Sequence, residues 1–203
     1  MTSQASRTTS VEIIDANNVV VGTTTTQADG SFSCTVPAGL GEHVFTARSA
    51  NETSSAYTVN GVPSQTIEDN FEDLSLQHFS PGVTLIAPVT QTSFTLRSGQ
   101  AEIREEWAGN PYHHSVKLTF GDFEVRPKYP PKKISFRRSQ GEGADIIVKY
   151  YGKDDTLLYI KILDEFMFPV FESETPIYYM VIIKPTGTMM RATYVDYFKF
   201  YYN

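Results

Sequence analysis

Short runs of β-branched and aromatic residues, each ended by Gly, Pro, Asn or Asp, follow one another along almost the whole chain, and apolar residues rarely recur at helical spacing. That pattern admits strands and turns but little helix, so an all-β protein is expected. The texture changes at Gly61-Val62-Pro63-Ser64, where a Thr/Ser-rich stretch almost without aromatics gives way to one crowded with Tyr and Phe. A length of 203 residues accommodates a break there, because the larger piece can still bury its own core. Two domains are expected, residues 1–63 and 64–203.

In the first piece, Ser10 to Asp15 and Val19 to Thr24 flank Ala16-Asn17-Asn18 and read as a hairpin. Ala28-Asp29-Gly30 is a second turn, since Gly takes positive φ without a Cβ clash and Asp bonds the local backbone. Ser31 to Val36, Glu42 to Arg48 and Ala56 to Val59 complete the expected strands of a small sandwich. The second piece offers ten strands: Gln65 to Leu74, Gly82 to Ile86, Thr92 to Arg97, Ala101 to Glu106, Ser115 to Phe120, Lys133 to Arg138, Asp145 to Tyr151, Leu157 to Leu163, Ile177 to Ile183 and Arg191 to Tyr202. Many short strands with one apolar side each suit a larger two-layer sandwich of the jelly-roll kind.

Composition excludes several function classes. A net charge of -6 lacks the basic face that nucleic acid binding needs. The single cysteine, Cys34, cannot form an intramolecular disulfide or a multi-cysteine zinc site. No run approaches the roughly 18 apolar residues of a membrane-spanning helix, and the opening Met1-Thr2-Ser3-Gln4 shows no signal-peptide pattern.

Two resemblances add to this reading. Val11-Glu12-Ile13-Ile14-Asp15, Val21-Gly22, Ala28-Asp29-Gly30-Ser31-Phe32 and Gly41 to Ala47 resemble the bacterial immunoglobulin-like repeats of large surface and secreted proteins, over about residues 8 to 60. The resemblance implies a stalk or spacer; an obvious leading strand is lacking. Asn70-Phe71-Glu72-Asp73-Leu74, Gly82-Val83-Thr84-Leu85 and Val195 to Phe200, with Ser115 to Phe120, Lys133 to Phe136 and Ile147 to Asp155 between them, fall in the order used by galactose-binding-like jelly rolls and many carbohydrate-binding modules. That second likeness implies noncatalytic binding of a glycan or cell-surface polysaccharide outside the cell. In such modules an early acidic residue and an aspartate of the last strand share a structural calcium, which implies Glu72 and Asp196 here, with Asp73 as a further donor. Solvated carboxylates paired with Lys or Arg are the plainer alternative.

Trp107-Ala108-Gly109-Asn110-Pro111-Tyr112-His113-His114 joins the only tryptophan to a turn and polar side chains. Aromatic planes stack on the C–H faces of sugar rings while polar groups orient hydroxyls, so Trp107, Asn110, Tyr112, His113 and His114 are the expected ligand-binding residues. A tryptophan of the core or rim is the alternative, and the two histidines lack a third metal ligand at recognisable spacing. Tyr197, Tyr201 and Tyr202 offer a second aromatic platform, only part of which alternation can turn outward. Arg126 to Lys133 with Arg137-Arg138 is a basic stretch suited to an acidic surface, or simply a solvated connection. Phe166 to Phe171 reads as core filling.

Catalysis is not expected. No serine elbow occurs, the flanks of Cys34 suggest no activated thiolate, and strand spacing cannot place two carboxyls across a cleft. The rivals to a glycan-binding module are a structural or adhesive end-cap that contacts protein, and an accessory domain of a larger enzyme or toxin. Oligomeric state is not legible.

Overall fold

The computed structural model describes residues 8–50, 52–106, 113–139, 145–163, 168–186 and 192–202. The chain is built almost wholly of strands and divides into two compact units, Met1–Val62 and Pro63–Asn203.

The first unit is a four-stranded antiparallel sheet of β1 (Ser10–Asp15), β2 (Val20–Thr25), β3 (Gly41–Arg48) and β4 (Tyr57–Gly61), in the order β2-β1-β3-β4. The β1–β2 turn closes because Asp15 Oδ1 accepts from the backbone N–H groups of Asn17 and Val19, at 2.9 and 2.8 Å, and Asn18 takes a positive φ of 64°. Asparagine tolerates that conformation better than most residues. Ser31 to Val36, expected as a strand, joins no ladder among the described residues. Cys34 and Val36 instead pack on the small core of Val11, Ile13 and Phe45. Gly22 makes room for them, since a Cβ there would sit 2.8 Å from Cys34 Sγ and from the Val36 side chain.

The second unit contains β5 (Ile67–Asp69), β6 (Gln77–Phe79), β7 (Thr84–Ile86), β8 (Ser93–Glu106), β9 (His113–Arg126), β10 (Lys133–Ser139), β11 (Ile146–Tyr151), β12 (Leu157–Leu163), β13 (Val170–Glu172), β14 (Tyr179–Lys184) and β15 (Thr193–Tyr201). β8 and β9 form one long antiparallel pair, and the other edge of β9 serves two strands in turn. Its first half pairs with β15 (Val116–Val195) and its second half with β14 (Phe123–Ile182). One hairpin therefore belongs to two layers. One runs β6-β8-β9-β15-β10-β13 and the other β7-β8-β9-β14-β11-β12.

The fold between layers falls at Gly99 and Gly121, which face each other in the register and have φ of 92° and 107°. A Cβ on Gly99 would lie 2.1 Å from the Phe120 carbonyl oxygen, and one on Gly121 2.0 Å from that of Ser98. Register slips at Leu96/Ser98 and Gln100/Ala101 sharpen the bend, as bulges do at the corners of sandwiches. The layers then meet through alternate side chains. Phe94 and Phe123 of one layer and Phe136 and Phe198 of the other share a core with Phe71, with Phe94 and Phe198 rings 6.1 Å apart. β5 lies beside β15 (Asp69–Phe198 to Ile67–Phe200), so the opening and closing strands of this unit are neighbours.

Gly121→Ala combines a forbidden backbone angle with a backbone collision. It is expected to destabilise the second unit by about 3 kcal/mol, read as a lower urea midpoint by fluorescence of the single tryptophan, whereas Gly30→Ala is expected to leave that midpoint unchanged.

Candidate functional site

Phe71 adopts a positive φ of 63° and is fully buried against Phe94, with ring centroids 4.6 Å apart. Its backbone N–H donates to Asp69 Oδ1 at 3.3 Å, and the N–H of Glu72 donates to Asn70 Oδ1 at 3.3 Å. These local bonds turn the loop so that Glu72 projects from it. Glu72 Oε1 accepts the backbone N–H of His114 at 2.8 Å, which ties the loop to the first residues of β9.

The two histidines have different tasks. His114 Nδ1 lies 3.1 Å from the carbonyl oxygens of both Phe71 and Leu74. Carbonyls only accept, so Nδ1 carries the proton and the ring is locked against the loop. His113 is set at the rim. Its Nδ1 is 3.7 Å from Glu72 Oε1, and its ring meets Tyr197 edge-on at 5.2 Å and 75°.

Tyr197 sits on a bulge of β15. It has a φ of 50°, and the β10–β15 register slips between Ser135 and Arg137. Below the ring is a buried ion pair: Arg137 Nε donates to Asp196 Oδ1 at 2.7 Å, and Arg137 Nη2 donates to Asp196 Oδ2. Asp196 is 1 % exposed, and the Arg137 guanidinium lies 5.0 Å from the Tyr197 ring centroid. Burial first, and the Asp196 charge second, push the Tyr197 phenol above its ordinary range, so the ring carries a neutral hydroxyl at physiological pH. The outward side of β15 continues through Lys199, paired with Glu68 at 3.0 Å, to Tyr201, which has the Lys133 ammonium 5.3 Å from its ring centroid.

Of the five expected ligand-binding residues, Trp107, Asn110 and Tyr112 lie outside the described residues. His113 and His114 lie side by side at the start of β9, and only His113 faces the rim group. Glu72 and Asp196 belong to the same neighbourhood, but each is already engaged, Glu72 by the His114 N–H and Asp196 by both arms of Arg137. Calcium wants about six to eight oxygens, and a guanidinium on Asp196 repels a second cation. The pair does not fit a shared calcium in this arrangement, and among the described residues no group of three His, Cys, Asp or Glu side chains is placed to hold a metal.

The basic stretch is reassigned by its contacts. Arg126 binds Glu124 at 3.0 Å and covers the Tyr179 ring at 4.3 Å. Arg138 is 2 % exposed and donates into the interior, to Thr193 Oγ1 and the Leu163 carbonyl. Exposed cations remain at Lys128 and Lys132. In the aromatic run, Phe171 stacks on Tyr150 at 4.2 Å, whereas Phe168 is 62 % exposed. Tyr202 is buried and donates to the Tyr129 carbonyl at 3.2 Å, so it is no part of an outward platform. Arg137 is the residue whose role sequence reasoning missed, because nothing in Ser135-Phe136-Arg137-Arg138 marks which arginine meets an aspartate some sixty positions away.

No family model matches the chain, and no curated protein is significantly similar to it. Among solved structures, the chain is similar to a cleaved adhesin domain of Lys-gingipain from Porphyromonas gingivalis, at 14% identity and a TM-score of 0.38, over 69% of this chain and 99% of that one. It is also similar to a structure of carbohydrate-binding modules of the β-sandwich superfamily, at 13% identity and a TM-score of 0.29, over 94% of this chain and 83% of that one. Likenesses this distant bear on neither ligand nor residue roles. No helix among the described residues is long and apolar enough to cross a membrane.

Replacing Asp196 by Ala leaves Arg137 charged and buried without its carboxylate, and a loss of about 3–5 kcal/mol is expected in urea unfolding. Glu72→Gln keeps an acceptor for the His114 N–H and is expected to cost under about 1 kcal/mol in the same experiment.

Proposed function

We propose that residues 63–203 form a noncatalytic carbohydrate-binding module of a surface or secreted protein, with residues 1–62 as its stalk. The observation that carries this reading is the His113–Tyr197 pair. A histidine at the first residue of β9 meets an aromatic ring of β15 edge-on, and Trp107, Asn110 and Tyr112 shortly precede that histidine in the sequence. Aromatic surface beside hydrogen-bonding groups is what a sugar ring requires, and the ion pair beneath Tyr197 fixes the ring without adding net charge.

Burial raises the pKa of the Asp69 carboxyl, but that group is 2 % exposed and accepts the Thr90 hydroxyl; several other carboxylates of the second unit are paired with cations. A general acid needs a raised pKa, whereas the Lys117 ammonium, 2.9 Å from Glu102, holds that carboxyl below its usual range. Glu124 is held by Arg97 and Arg126, and Asp196 by Arg137.

A glycan array probed with the full chain is expected to return a defined set of ligands. On the best of them, Trp107→Ala, His113→Ala and Tyr197→Ala are each expected to weaken binding about tenfold, the worth of one stacking or charge-free polar contact. An array without ligands, or variants that bind equally, would refute the reading.

A protein-contacting end-cap is favoured by one border of the second unit. β12 is an edge strand carrying Tyr159, Ile160 and Ile162 at 46–64 % exposure, and Tyr159 stacks on Phe171 of β13 at 5.1 Å, next to Val170 at 49 %. Edge strands usually carry charge that blocks pairing; here Lys161 is the lone cation of the strand. If this border packs against a second copy of the chain, the protein self-associates with rising concentration in sedimentation velocity and Ile162→Lys abolishes it. A monomer throughout would count against pairing between copies.

A further inference from the structure

Among its described residues the first unit has one sheet and half of a second layer. One face of the sheet carries Ile13, Phe45, Ala47, Tyr57 and Val59, and Ser31 to Val36 covers the part nearest β2. Beside that segment lies an open cavity of about 320 Å³ whose floor is those five residues and whose wall is Phe32, Cys34 and Val36. A neighbouring hollow of about 250 Å³ shares Phe32, Ala47 and Ser54 and extends the space past Val11 toward Thr26, Ser49, Glu52 and Thr53, so the open region is a groove with one polar end. Apolar surface is left in water along it: Tyr57 is 71 % exposed and Phe32 44 %.

The backbone of the covering segment says what kind of molecule fits. Phe32, Cys34 and Val36 line the cavity while Ser31, Ser33 and Thr35 are exposed, which is the two-residue alternation of a strand. In such a segment the N–H and C=O of one residue point to one side and those of the next residue to the other. The Ser33 carbonyl accepts from Thr24 Oγ1 at 2.8 Å, and the Ser31 carbonyl accepts the Gln27 N–H at 2.7 Å, so the Ser31, Ser33 and Thr35 groups face β2. The N–H and C=O groups of Phe32, Cys34 and Val36 then face the groove, and among the described residues they join no ladder. A small apolar molecule would fill the space and leave that row of donors and acceptors unpaired.

We infer that the groove of the first unit is a docking site for an extended polypeptide strand with apolar residues at alternate positions, which pairs with the Phe32–Val36 edge and sets its apolar side chains on Phe45, Ala47, Tyr57 and Val59. The inserted strand completes the second layer of the sandwich. Affinity comes from backbone pairing along the edge, and selectivity from the size of the alternate side chains.

The test uses the full chain and a soluble peptide of alternating valine and threonine with terminal lysines. Amide hydrogen exchange at Phe32, Cys34 and Val36 is fast in the chain alone and slows at least tenfold with the peptide. Alkylation of Cys34, whose thiol lines the groove, slows in parallel. A peptide of the same sequence with N-methylated valines, which cannot donate to the edge, leaves both rates unchanged, as does Ala47→Trp, which fills the floor. The inference is overturned if the three amides are already protected without peptide, if the N-methylated peptide protects equally, or if an apolar dye occupies the groove while neither peptide does.

Discussion

Two glycines facing each other across a hairpin set the architecture of the larger unit. At Gly99 and Gly121 the backbones approach so closely that neither position has room for a Cβ, and both take angles that side chains disfavour. Because the hairpin bends there, a single strand, β9, lends one half to each layer. The consequence is mechanical: the layers are held in register by covalent chain as well as by packing, and the phenylalanine-rich core forms between surfaces already poised to meet. Sandwiches held by packing alone must fix that angle with side chains.

The rim group depends on the same bend. β15 reaches β9 only along the half that lies in its layer, and β5 takes over as its neighbour further along. At that hand-over Tyr197 bulges, Arg137 and Asp196 pair beneath it, and the 70–74 loop fastens onto His114. A buried ion pair is a poor source of net stability, since desolvation cancels most of the attraction. Its contribution here is positional, because a bidentate guanidinium admits few other geometries for the strand that carries the ring.

How much of this was legible beforehand depended on the range of the signal. Local alternation marked β1, β10, β11 and β12 with ends close to those observed, because period-two patterns and turn residues act within a few positions. β8 and β9 were split or shortened: the expected strands stop at Arg97 and Phe120 and leave out Ser98-Gly99-Gln100 and Gly121, whereas two opposed glycines bend a continuous ladder. Ser31 to Val36 alternates like a strand but joins no ladder among the described residues, since pairing depends on a neighbour that alternation does not reveal. The site suffered most. His113, Glu72 and Asp196 were marked as candidates, yet their alliances cross forty to sixty positions, and the arginine that claims Asp196 looked like one charge in a basic run. Phe168 and Phe171 show the same limit: three positions apart, one is in water and the other stacks on Tyr150.

The bulge in β15 places consecutive residues, Asp196 and Tyr197, against the same guanidinium. An ordinary strand would send them to opposite faces. Anchorage and display are thereby divided between adjacent positions, so the displayed side chain can be exchanged through descent while the anchor beneath stays put. A scaffold partitioned in this way can change what it displays without first loosening its frame.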